Sequence, residues 1–145
     1  MAAEAYNETG TDRQKAWDLL NSVRTRAEAT SITEANYDEM MSVRKKTHNL
    51  TFIDDSTPEG KFRTALYWER GFELAFEGQR KYDLLRWGIL GDALKFFQGN
   101  MDKTLKGKYV AGDKFVKGQH ELFPIPLGEL QANPALNNQN NPGYE

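Results

Sequence analysis

Residues 62–88, FRTALYWERGFELAFEGQRKYDLLRWG, decide the fold. Thr57 followed by Pro58 supplies an N-cap and a favoured first helical residue, so a helix starts just upstream and is expected to run to about Glu77. Phe62, Ala65, Leu66, Glu69, Phe72, Glu73 and Phe76 recur at the i, i+3, i+4, i+7 spacing of one helical face, which sets two carboxylates inside an apolar stripe. A carboxylate withdrawn from water is costly unless it is paired and hydrogen-bonded. Arg63, Arg70, Arg80 and Arg86 are within reach, so an Arg/Glu network is expected. Gly78 is placed to end the helix in a left-handed conformation, and 80–87 then form a second helix with Asp83 one turn from Arg80 and Arg86. The expected unit is a helical hairpin.

The same residues carry a resemblance. Glu69-Arg70, Glu73-Leu74-Ala75-Phe76-Glu77-Gly78, Arg80, Asp83-Leu84 and Arg86-Trp87-Gly88 resemble the signature of the C-terminal region of the SusD/RagB family, the outer-membrane glycan-binding lipoproteins of Bacteroidetes. Leu122-Phe123-Pro124-Ile125-Pro126, Glu129-Leu130, Asn133-Pro134 and Asn141-Pro142-Gly143-Tyr144 are similar to that family's closing motif, and Asn21, Val23-Arg24 and Arg26-Ala27 resemble the helix preceding both. Gly71 departs from the pattern, standing where the family often carries a charged or helix-favouring residue, and a glycine inside a helix costs roughly 1 kcal/mol relative to alanine. The resemblance implies part of a non-catalytic cell-surface protein that captures an oligosaccharide or polysaccharide for a TonB-dependent outer-membrane transporter. It further implies an outer-membrane setting, and an N-terminal helical-repeat region and lipidated cysteine outside these residues.

Composition bounds the alternatives. A chain of 145 residues with 39% hydrophobic and 12% aromatic content can bury a core, and it is expected to be one domain or fragment over 1–145. A net charge of -2 gives no electrostatic case for nucleic acid. With no cysteine, disulfides, thiolate metal sites and cysteine nucleophiles are excluded from these residues.

In chain order, residues 1–10 lack periodicity and are expected to be disordered. Thr11 with Gln14 forms a capping box for a helix over 12–28, with Ala16, Leu20, Val23 and Ala27 on its apolar stripe. Arg24 and Arg26 near its end either clamp a ligand or pair with Glu69, Glu73 or Glu77. Ser31 with Glu34 is a second capping box, for a shorter helix that carries Tyr37, Met40, Met41 and Arg44 and ends near Lys46. Asp54-Asp55-Ser56 reads as a solvated turn rather than a calcium loop. Residues 92–98 are expected to form a helix, and 108–117 a small β-hairpin turning at Gly112-Asp113. Four prolines, Pro124, Pro126, Pro134 and Pro142, keep the tail irregular, with an apolar side that wraps the helices. The expected fold is therefore mostly α, with a small β-hairpin and a wrapping C-terminal tail.

No metal set, phosphate loop, cofactor motif or catalytic triad is legible. Glu69 and Glu73 lie one turn apart, near the ~5 Å carboxylate separation of a retaining glycosidase. Abundant arginines would nevertheless keep both ionised, which leaves hydrolysis a remote alternative. Trp17, Trp68, Tyr82 and Trp87 are expected in the core, while Tyr37, Tyr109 and Phe115 are the candidate glycan contacts. The structural ion network is assigned to Arg24, Arg26, Glu69, Arg70, Glu73, Glu77, Arg80, Asp83 and Arg86. A module that docks on the transporter without touching sugar is the alternative reading.

Overall fold

The computed structural model describes residues 1–102, 104–105, 107–137 and 139–144, and among them it is helical with no sheet. The chain divides into two compact units, Met1–Lys81 and Tyr82–Glu145.

The first unit opens with α1, Ala2–Thr9, where disorder was expected. Its buried positions are Ala3 and Asn7, one turn apart, so a polar residue occupies half of the buried face and hides the periodicity. Helix α2, Arg13–Arg26, is capped by the Asp12 carboxylate accepting from Lys15 N–H at 2.8 Å, one residue beyond the expected Thr11 cap. Ala16, Trp17 and Leu20 face inward, and Trp17 meets Phe62 edge to face at 4.9 Å.

In the stretch after α2, Ile32 is held by both backbone groups by the side chain of Asn21 on α2, which donates to its carbonyl at 2.8 Å and accepts from its N–H at 2.9 Å. Thr33 and Asn36 then cap each other's N–H groups, which delays α3 to Tyr37–Thr47 and leaves the Ser31/Glu34 box unused.

Helix α4, Pro58–Glu73, starts as its sequence dictates, with the Thr57 hydroxyl accepting from Gly60 N–H at 3.1 Å. Gly60 is required by packing, because a Cβ there would lie 1.7 Å from the Asp54 carbonyl oxygen. Phe62, Ala65, Leu66 and Tyr67 are buried. The helix ends at Glu73 rather than near Glu77. Ala75 N–H bonds to Phe72 O at 3.3 Å and Glu77 N–H to Leu74 O at 3.2 Å, tighter i to i+3 turns that unwind it, and Phe76 follows at φ 67° ahead of Gly78 at φ 74°. Helix α5, Arg80–Arg86, follows, and the unit boundary falls inside it.

In the second unit, α6 spans Leu90–Gly99 and buries Leu90 and Ala93. The expected β-hairpin is absent from the described residues of 108–117: Ala111–Lys114 form a short helix, α7. Gln98 explains this, because its side-chain oxygen accepts from Gly112 N–H at 3.0 Å and from Asp113 N–H at 3.3 Å, taking donors a strand ladder would use. Gly112 also packs on Lys95, where an added Cβ would come within 2.8 Å of the backbone.

The tail is more regular than its prolines suggest, with α8 over Leu127–Ala132 and a 3-10 turn over Pro134–Leu136. Leu130 is buried, whereas Leu122, Phe123 and Leu127 are exposed, so only part of the tail's apolar side packs inward. Its ends are tied by asparagines. Asn140 accepts from Ile125 N–H at 2.7 Å and donates to Ile125 O at 3.4 Å, Asn141 donates to Phe123 O at 2.7 Å, and the Tyr144 hydroxyl donates to Leu122 O at 3.1 Å.

Candidate functional site

Helix α4 presents Glu69 and Glu73 to arginines of α2, and Trp68 and Phe72 to Arg44 of α3. Arg24 Nη1 lies 2.6 Å from Glu69 Oε2 with both side chains largely buried, and Arg24 Nε also donates to the Thr30 carbonyl at 2.8 Å. Arg26 pairs with Glu73 nearer to solvent. Arg80 takes a different partner, donating to the Tyr67 carbonyl at 2.9 Å and stacking on the Tyr67 ring at 3.9 Å. In the second unit, Arg86 pairs with the buried Asp83 at 3.1 Å. Arg70 lines a groove beside Glu69 and Glu73, and Glu77 is exposed beyond the helix end.

That groove, about 230 Å³, lies among α1, α2 and α4 and is walled by Ala3, Leu20, Val23 and Leu74. The two carboxylates at its edge, Glu69 and Glu73, are the pair considered for hydrolysis, and each is engaged by an arginine.

A second surface lies where α3 meets α4. Trp68 and Phe72, one turn apart, hold their rings nearly parallel, 16° between planes and 6.0 Å between centroids. Arg44 of α3 lies across both, its Cζ 5.1 Å from the Trp68 centroid and 4.5 Å from that of Phe72. Burial pushes the Arg44 pKa below its ordinary value and the nearby Arg24 charge adds to this, against the opposing effect of Glu69. Phe72 remains 55% exposed.

The aromatic candidates fall elsewhere. Tyr37, expected to be exposed, is fully buried and donates its hydroxyl to Asp55 Oδ2 at 2.7 Å. Burial, with the Asp55 bond, pushes its pKa well above the usual phenol value. Burial would raise Asp55, but the Lys45 and Tyr37 hydrogen bonds outweigh it and hold the carboxyl below its ordinary range. Tyr109 meets Phe97 edge to face at 5.2 Å, and Phe115 packs on Gly91 and, at 5.9 Å, on His120, so both are half-buried in the second unit. Tyr82, expected in the core, is 61% exposed, and Trp87 is half-buried under Arg86. Asp54 accepts from Ser56 N–H at 2.9 Å, as in a polar turn.

Arg44, placed on its helix by the sequence reading but given no role there, is the cation that lies over this pair of rings. The signal was its position: it shares the stripe of Tyr37 and Met41 at i+7 and i+3, so a cation stands in a row of apolar residues.

These features define a helical protein whose α4 carboxylates are committed to arginines and in which Arg44 lies over the rings of a half-buried Trp68 and an exposed Phe72. The chain matches the model of the SusD family over residues 1–144, and it belongs to that family. It is 36% identical over 146 residues to the SusD-like protein P25 of Formosa agariphila, a match covering 99% of this chain and 23% of that relative's length. No solved structure matches it. Among the described residues, no helix is long and apolar enough to cross a membrane.

Proposed function

We propose that this chain is part of a non-catalytic, cell-surface glycan-binding protein that captures oligosaccharides for a TonB-dependent outer-membrane transporter. Membership of the SusD family carries the reading. Supporting it, Glu69 and Glu73 each face an arginine, where a glycosidase needs one carboxyl group free to deliver a proton. Phe72, 55% exposed beside the half-buried Trp68, offers an apolar ring surface of the kind a pyranose packs against. The chain spans 23% of its relative's length, and its share of the site is accordingly partial.

A docking role towards the transporter is the second reading, favoured by Tyr82, Phe123 and Leu127 of the second unit, each of them well exposed. A glycan array probed with the whole protein separates the two. Binding to a defined set of oligosaccharides supports capture; binding to none, with retention of the transporter, supports docking alone.

A further inference from the structure

We propose that Arg44, laid across Trp68 and Phe72, is the anion-reading element of a sugar site on α3 and α4, whose ligand class is a sugar bearing a carboxylate or sulfate oxyanion; this rests on the glycan-binding reading above. The last turn of α3 carries Arg44, Lys45 and Lys46. Lys45 is committed, lying 2.8 Å from Asp55 and 3.1 Å from Asp38. Glu69, whose charge reaches Arg44, is held by Arg24 at 2.6 Å. Among the described residues the Arg44 guanidinium has two ring faces against it but no ion pair and no hydrogen bond. Its planar fork of N–H donors is thus oriented, partly stripped of water and unsatisfied, a state that a bidentate oxyanion relieves.

The surroundings supply the rest of a sugar site. More than half of Phe72 stays open although Arg44 lies on it, leaving apolar surface for a ring. A recess of about 10 Å³ between Arg44, Asn49 and Trp68 has room for one water-sized group, and Asn49 brings an exposed amide that can both donate and accept to hydroxyls. A merely structural clip between α3 and α4 would account for the stacking, but it would confer no preference among ligands.

The test is a titration of the ¹⁵N-labelled 145-residue chain, following the Arg44 Nε–H and Trp68 indole signals. The ligands are trigalacturonic acid, a 6-O-sulfated galactose disaccharide, neutral galactotriose and sodium sulfate. Saturable shifts at both residues with one or both acidic sugars are expected, weakening with salt, and reduced about tenfold in Arg44→Gln with Arg44→Lys between. Whichever acidic sugar binds more tightly names the oxyanion. Equal binding of galactotriose, unchanged in Arg44→Gln, would leave the glycan reading standing and overturn the anion-reading role. Equal shifts from sodium sulfate would reduce the site to an ion contact and also overturn it. Silence from every sugar, with the glycan array of the whole protein positive, would overturn the anion-reading role alone, and the Lys variant keeps the comparison valid if the Gln variant fails to fold.

Discussion

Arg24 and Glu69 meet at 2.6 Å with side chains 15% and 13% exposed, whereas Arg26 and Glu73, joining the same two helices, are 68% and 36% exposed. Desolvation makes the first pair sensitive, because removing one member strands the other charge where water cannot solvate it. Glu69→Gln is expected to destabilise the chain by about 3 kcal/mol, and Glu73→Gln by less than about 1 kcal/mol. Urea denaturation of the two variants measures both; equal losses would contradict the assignment.

Gly60 and Gly71 sit in the same helix and should respond oppositely to alanine. A Cβ on Gly60 would overlap the Asp54 carbonyl at 1.7 Å, and backbone must move, so Gly60→Ala is expected to cost about 3 kcal/mol. At Gly71 the nearest atom would be Arg80 Cζ at 3.5 Å, an ordinary contact, so Gly71→Ala is expected to stabilise by about 0.5–1 kcal/mol. Thermal melts decide, and a lower Tm for Gly71→Ala would contradict it.

Tyr37 and Asp55 make a pH-dependent contribution. The Asp55 carboxyl lies below its ordinary range in the fold, so its stabilisation is present above the unfolded carboxyl pKa of ~3.9 and is lost as pH falls through the folded value. Tyr37→Phe removes the 2.7 Å bond, which should raise the Asp55 pKa and cost about 1.5–3 kcal/mol at neutral pH. Carboxyl ¹³C titration reads the shift, and an unmoved Asp55 would refute the link.

The tail rests on Asn140. Pro124 and Pro126 have no N–H, and the side chain of Asn140 takes both backbone groups of the Ile125 between them. Asn140→Ala is expected to cost about 1–3 kcal/mol and to speed hydrogen exchange at Ile125. Unchanged exchange at that amide would show that the clasp is not what holds the tail.

The N-terminus of α4 was legible because Thr57-Pro58 is a local signal, and so were Arg24 and Arg26 as partners reachable by Glu69 and Glu73. What escaped depends on contacts distant in sequence. Helix α1 buries a polar Asn7, so it shows no apolar period, and α7 replaces a hairpin because Gln98, fourteen residues before Gly112, supplies the acceptor. Tyr37 looked exposed because a phenol on a short helix carries no mark of the Asp55 carboxylate that lets it be buried. Arg44 needed α3 and α4 side by side before it could be recognised.

Glycan capture without cleavage is the role proposed for this chain. Calorimetry of the whole protein and of this chain against one oligosaccharide panel, with a reducing-end assay on the same samples, tests it most directly. Specific binding by the whole protein, weaker binding by the chain and no new reducing ends are predicted. Reducing-end release abolished by Glu69→Gln or Glu73→Gln, or a whole protein that binds no glycan, would contradict it.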